Sequence, residues 1–334
     1  MKKNKAIYGC VASVLAMAIA TAAYAQDPKA INTGGPSGAY HGTFCPPIPV
    51  VLSNAYFQGY KCTTSAGTVD NITRVLNSPT NIGFAQLDVY AREAAQRPEE
   101  FNRLSVIRTD VACEGLWMVT KNPDLDFGKV LGLARRIQWV LPAKTSGSTA
   151  SFNYLRSIDP EGLGRISESN ITYAKDATEV LNRVAHSTQG EVGFFVQFAD
   201  PRNANIKLIV EKDLRVIPVI SREILRAKVD DQAVYQAQEF SLTQGGVFSK
   251  GKTVTTSCTP VALFTGSPKA FTDRNAQDDA KELVDRLKAV PREKMLPQDS
   301  FMATLLKGTR SLSAAALEQM VAGVEAAKKA VENR

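Results

Sequence analysis

Histidine is nearly missing from this chain of 334 residues: only His41 and His186 occur. There is also no Cys-x-x-Cys pair. A zinc site therefore has almost nothing to build on, and neither a metal nor a cofactor is expected. Neither histidine has a serine, cysteine or aspartate partner in a recognisable motif, and Gly-x-Ser-x-Gly does not occur. The residue sets that activate a nucleophile are thus not visible. Past the N-terminus no apolar run is long enough to span a bilayer. Basic charge is not clustered into a stripe, so nucleic acid is not expected as a partner. No solenoid repeat and no heptad seam is apparent, so a monomer is expected.

The composition is that of an ordinary globular protein, 44% hydrophobic and 22% charged. The length suggests two domains. Of the formal net charge of +7, three units sit at Lys2, Lys3 and Lys5, with no acid in residues 1–25. Ala6–Ala22 is mostly apolar and small, and Ala23-Tyr24-Ala25 places small residues before a cleavage point at Gln26. Residues 1–25 are read as a secretory signal peptide, and the mature chain as periplasmic, in an oxidising compartment. Four cysteines then remain: Cys45, Cys62, Cys113 and Cys258. An even number suits two disulfides in any of three connectivities. Four buried free thiols is the other reading.

Along the chain, strand patterns alternate with helical ones. Tyr60–Thr64, Asn81–Gln86, Leu104–Thr109 and Gly115–Thr120 read as strands, as do Ile137–Leu141, Ile171–Ala174, Val192–Phe198 and Leu214–Val219. Thr253–Phe264 is a longer strand, rich in β-branched residues. Helices are expected over Pro49–Ala55, Val69–Leu76, Val89–Gln96 with Asp88 as N-cap, Ala150–Ile158 and Ala177–His186. Another is expected after Ser267-Pro268, and a last one carries Leu317, Met320, Val321, Val324 and Val331. The alternation argues for α/β units around a largely parallel sheet.

Two motifs are discounted. Gly246–Thr253 fits the phosphate-loop pattern, but strand chemistry follows where a helix must start, so a turn before a strand is expected. Ser249-x-x-Lys252 lacks the companion motifs of penicillin-interacting enzymes. Three loops of small residues carry more weight: Gly34–Tyr40, Ser65–Thr68 and Ser146–Thr149. Each precedes a helix, where free backbone N–H groups and hydroxyls favour anionic or oxygen-rich ligands. In open α/β sheets, ligands sit at the carboxyl ends of strands.

The residues Thr33-Gly34-Gly35-Pro36-Ser37-Gly38-Ala39-Tyr40-His41 resemble the opening motif of the TAXI-type solute receptors of TRAP transporters, with Ala39 where that family has Thr. Ser65–Asn71, Ile82–Asp88, Ser146–Thr149 and Glu191–Phe195 are similar to later motifs of the same family, in order, over roughly residues 31–265. The resemblance implies a type II periplasmic-binding-protein fold. In that fold two α/β lobes are joined by two crossover strands, and a ligand is trapped between them by hinge closure. It implies a first lobe of residues 26–113 and 258–334, and a second of 114–257. It also implies the disulfides Cys45–Cys62 and Cys113–Cys258. The ligand set it implies is Gly38, Ala39, Tyr40, Ser65, Thr68 and Gln86 from the first lobe, and Ser148, Thr149, Phe195 and Gln197 from the second. Arg74 and Arg202 are candidates to pair with a carboxylate. The implied role is capture of a small, carboxylate-bearing anionic solute for a TRAP-type membrane permease, with no bond broken. An exported enzyme, or a ligand-sensing subunit of a signalling receptor, would be built on the same two lobes.

Overall fold

The computed structural model describes residues 29–333 except 37, 189, 230, 245–250, 297–304 and 306–309. The expected signal segment and most of the Gly246–Thr253 motif lie outside the described residues. Thr253 itself opens a strand, as the residues after it require.

The first half runs β1 (Ala30–Asn32), α1 (Pro47–Asn54), β2 (Lys61–Thr63), α2 (Thr68–Asn77), β3 (Ile82–Gln86), α3 (Leu87–Gln96), α4 (Pro98–Phe101) and β4 (Leu104–Arg108). The chain then crosses on β5 (Cys113–Thr120). It builds α5 (Phe127–Gly132), β6 (Trp139–Leu141), α6 (Gly147–Ile158), β7 (Ile171–Tyr173), α7 (Ala177–His186), β8 (Val192–Phe198), α8 (Ala204–Glu211) and β9 (Arg215–Ile217). After α9 (Arg222–Arg226) come β10 (Lys228–Val229) and β11 (Gln232–Ala233), a small hairpin, and β12 (Gln236–Ser241). The chain returns on β13 (Thr253–Gly266), followed by α10 (Arg274–Ala289), α11 (Arg292–Met295), β14 (Arg310–Ser311) and α12 (Ala314–Glu332).

The sheet order is β2-β1-β3-β13-β5-β8-β6-β7. Pairing is parallel within β2-β1-β3 and β8-β6-β7, and antiparallel wherever β5 or β13 takes part. The sheet is therefore mixed rather than largely parallel. The reason is that β13 runs back along the path by which β5 left. Its 14 residues serve both halves: Val261–Thr265 pair with β3, while Thr253–Cys258 pair with β12. These are two α/β halves joined by crossing strands, the fold that the motifs implied.

Each half is covered on both faces. In the second half, alternation along β8 sends Phe194 and Val196 under α6 with Phe152 and Leu155. Phe195 goes to the opposite face with Val180, Val184 and Ile206 of α7 and α8. That double burial is why Val192–Phe198 is apolar almost without a break. Burying Phe152 or Phe194 stabilises by about 1.5–3 kcal/mol relative to exposure. In the first half, α1 and α10 cover one face through Ile48, Leu52, Leu283 and Leu287. The other face meets α2 and α3 through Ile72, Val75 and Tyr90.

The bridges Cys45–Cys62 and Cys113–Cys258 are both formed, as the resemblance implied. The second joins the two crossing strands, with Pro260 in register with Cys113 and Cys258 with Gly115. Placing all of 258–334 with the first half is corrected by the structure. Residues 258–296 sit there, but β14 pairs with β12 and α12 packs on α5. The physical reason is a narrow groove on α5, made by Gly128 and Gly132. A Cβ on Gly128 would lie 2.3 Å from the Val324 carbonyl oxygen, and one on Gly132 would lie 2.9 Å from Val331 Cβ. Ion pairs Arg165–Glu332 and Arg222–Glu325 flank the contact.

Gly128→Val places side-chain atoms where the α12 backbone lies. It is expected to cost about 1–3 kcal/mol in chemical denaturation and to make α12 at least fivefold more susceptible to limited proteolysis. A cleavage rate equal to that of the wild type would show that α12 is held by something other than this groove.

Candidate functional site

The carboxyl ends of β1, β2 and β3 carry the first half's contribution. Gly67 opens α2 with φ +116°, a conformation that L side chains rarely adopt, so glycine is required there. The turn places Thr68 at the helix start, where its hydroxyl accepts from the Gln86 backbone N–H at 3.2 Å. Gln86 is thereby fixed at the end of β3. Tyr40, in a π-helical turn spanning Tyr40–Phe44, stacks on Phe84 with ring centroids 5.4 Å apart.

The second half approaches through the start of α6. Ser146 is the N-cap and accepts from Thr149 N–H at 3.2 Å, so the helix begins at Gly147 rather than at Ala150 as its sequence suggests. Gly147 meets Gln86: a Cβ there would lie 2.5 Å from Gln86 Oε1. The starts of α2 and α6, one from each half, thus converge on a single buried residue, Gln86, the first at its backbone N–H and the second at its side chain. N–H groups in a first helical turn have no intrahelical acceptor and carry the positive end of the helix dipole.

Between them lies Glu114, on crossing strand β5. Tyr40 donates its hydroxyl to Glu114 Oε2 at 2.8 Å, and Gln86 Nε2 donates to the same oxygen at 3.0 Å. Burial pushes the Glu114 carboxyl up to about 7, with the Asp88 charge adding to the rise and the Tyr40 and Gln86 hydrogen bonds opposing it. Asp88 is not the N-cap of α3. That place belongs to Gln86, because the helix begins at Leu87, two residues before the expected Val89. Asp88 is instead fully buried and accepts from Val89 N–H at 2.7 Å and from the Tyr235 hydroxyl of the second half at 3.0 Å. Its backbone N–H donates to the Thr259 hydroxyl of β13. Burial pushes the Asp88 carboxyl up to about 6 against the hydrogen bonds of Ser151, Tyr235, Val89 and Thr259. Tyr40 and Tyr235 are raised as well, chiefly by burial and then by the adjoining carboxylates.

Of the residues named from the sequence, Tyr40, Thr68 and Gln86 meet at this centre. Gly38 donates its N–H to the Gly35 carbonyl, while Ala39 precedes the π-helical turn. The Ser65 hydroxyl accepts from Gly67 N–H and shapes the loop. The hydroxyls of Ser148 and Thr149 turn inward. Ser148 bonds Val196 N–H and C=O beyond the short β6 pairing, and Thr149 donates to the Pro142 carbonyl. Phe195 and Gln197 do not reach the centre. Strand alternation puts Phe195 on the far face against Trp117, and Gln197 on that face accepts from Asn205. Arg74 lies beside the Ser65–Thr68 loop, held by Asp70 and the Thr64 carbonyl, and Arg202 is paired with Asp200. Sequence reasoning placed Gly147 in the Ser146–Thr149 loop but not in the ligand set, missed Glu114 and Tyr235, and misassigned Asp88. Glu114 did leave a signal, as the lone charge within a largely apolar strand.

Both acids have folded-state pKa values above their unfolded ones. The native state therefore keeps protons that the unfolded chain has released, and stability falls as pH rises from about 4 to 7. For Glu114 the loss is on the order of 3 kcal/mol. Glu114→Gln is expected to flatten the decline in Tm between pH 5 and 8. An unchanged decline would assign it to other groups.

No family model matches the chain, and no curated protein matches it. Among solved structures it is similar to a possible phosphate binding protein from Planctomyces limnophilus, at 16% identity, covering 89% of this chain and 97% of that one, with a TM-score of 0.36. It is similar to the periplasmic VFT2 domain of BvgS from Bordetella pertussis, at 14% identity, 85% and 94% coverage, and a TM-score of 0.40. XAC2383 from Xanthomonas citri, solved bound to ATP, gives 9% identity, 91% and 98% coverage, and a TM-score of 0.44. The chain's own topology, two α/β halves joined through β5 and β13, makes it a domain of the type II periplasmic-binding-protein fold.

Proposed function

We propose that this chain is an exported solute-binding protein that captures a small carboxylate-bearing molecule between its halves and delivers it to a membrane permease of the TRAP type. The observation that carries this reading is the convergence of the α2 and α6 starts on Gln86 from opposite halves. Closing the halves brings the N-terminal ends of two helices toward one point, which is a means of enclosing an anionic group. The two disulfides suit an oxidising compartment such as the periplasm. Among the described residues, no helix is long and apolar enough to cross a membrane. The site holds, encloses and releases. Hydrogen bonds and helix dipoles orient the solute, and crossing strands β5 and β13 carry the hinge motion.

The direct test is a thermal-shift screen of protein refolded free of co-purified ligand, against amino acids, di- and tricarboxylates, oxyanions and sugars. A ligand at about 100 times its Kd adds roughly 2.7 kcal/mol, or a rise of about 2–4 °C in Tm for a chain of this size class. The expected result is a selective carboxylate hit recovered chemically unchanged. No shift from any carboxylate, with the protein folded, would overturn the reading, and turnover of the hit would make the chain an enzyme.

Gly147→Val tests the closing contact. Its side chain enters the space of Gln86 Oε1, so the halves are expected to stand apart in solution scattering. Affinity for the hit should drop at least tenfold, with Tm in the absence of ligand little changed. Undiminished binding would remove Gly147 from the closure mechanism.

A further inference from the structure

One contact between the halves runs through a carboxyl group. Asp88 stands in the first turn of α3, in the first half, and what encloses it comes from elsewhere. Tyr235 of the second half donates its hydroxyl to Asp88 Oδ2 at 3.0 Å. Ser151 of α6 adjoins the carboxyl, and Tyr154 of α6 packs against Tyr235. Thr259 of β13 accepts from the Asp88 backbone N–H at 3.1 Å. Further along α3, Ala91 is packed into the core of the second half. Asp88 is fully buried, and α6 and Tyr235 of the second half form much of its cover.

Glu114 shares this spot from β5, and the two acids act on one another. The titratable groups facing them are Tyr40, Tyr154 and Tyr235, which burial holds above their ordinary range, so all three stay neutral donors through pH 8. On the elements packed around them, Arg74 of α2, Arg92 of α3 and Arg156 of α6 are each paired with another acid. Among the described residues neither Asp88 nor Glu114 forms an ion pair.

Such an enclosure suits neutral carboxyls. Both side-chain hydrogen bonds to Glu114 fall on Oε2, so Oε1 can carry a proton without displacing either. Two ionised carboxylates would repel one another with no counter-charge at hand. Parting the halves lets water reach Asp88 and solvate its charge, which removes the reason to keep the proton. The closed form therefore binds more protons than the open one, and closing weakens as protons become scarce.

We propose that closure of the halves takes a proton from water onto the Asp88–Glu114 pair, so that the halves close readily in acid and part as pH rises. This rests on the solute-capture reading and adds a regulation to it: a captured solute is held less firmly at the alkaline end. Burial holds the two carboxyls at about 6 and about 7 in the closed form, above the ordinary carboxylate range, which sets the window between pH 5 and 8.

The test is small-angle scattering of the refolded, solute-free protein from pH 5 to 8, with circular dichroism to show that the fold is kept. The ratio of closed to open molecules is expected to fall by about tenfold or more across that range. Asp88→Asn cannot ionise and can still accept from Tyr235, so it should stay closed to pH 8, and Glu114→Gln should lessen the fall. A folded wild type whose profile ignores pH, while Gly147→Val opens it, would overturn this inference and leave the capture reading standing. An opening with pH that persists in full in both acid variants would also overturn it. A profile moved neither by pH nor by Gly147→Val would show halves that do not part, and would overturn both.

Discussion

The rest of the structure hangs on the side-by-side pairing of β5 and β13, tied by Cys113–Cys258. These strands are the sheet's connection between the halves, and the bridge closes a loop with a sequence separation of 145. Constraining so long a loop removes much conformational freedom from the unfolded chain. In the native state it holds the crossing in register. Glu114 directly follows Cys113, so the residue that meets both Tyr40 and Gln86 stands on the most constrained stretch of the hinge.

Around that stretch the electrostatics follow from burial. Among the described residues neither Glu114 nor Asp88 forms an ion pair, and the hydrogen-bond donors beside them are neutral. Such an arrangement is costly to the fold and useful to a binding site. Gln86 connects the parts: its backbone N–H reaches Thr68, its Nε2 reaches Glu114, and its Oε1 faces Gly147. One residue thereby touches the loop of the first half, the crossing strand and the helix start of the second half. The hydroxyls of Ser148 and Thr149 hold α6 on β8 and Pro142, which keeps the Gly147 end in place.

Close packing of two helices also explains the far end of the chain. α12 returns to the second half because α5 offers glycines where two backbones can approach closely. A helix carrying Leu317, Met320, Val321, Val324 and Val331 has a legible apolar stripe, but nothing in that stripe says which helix it covers. The partner is chosen by the shape of a groove assembled from residues 128 and 132, almost two hundred positions earlier.

By itself the sequence determined the alternation of strands and helices, the two-half organisation and the residue types at the first-half loops. These are local matters: periodicity, turn chemistry and N-cap residues act over a few positions. Through a family resemblance it also pointed to both disulfide pairs and to Tyr40, Thr68 and Gln86 as neighbours. Only the tertiary structure decided the rest. It placed Phe195 and Gln197 on the far face, because a strand's two faces differ only in what is packed against them. It turned Ser148 and Thr149 inward, because β8 and Pro142 have backbone groups to satisfy there. It also raised the carboxyls of Glu114 and Asp88, because a carboxylate's character depends on how much water and which charges surround it. Those surroundings come from residues up to 171 positions away, as in the bond from Asp88 to Thr259.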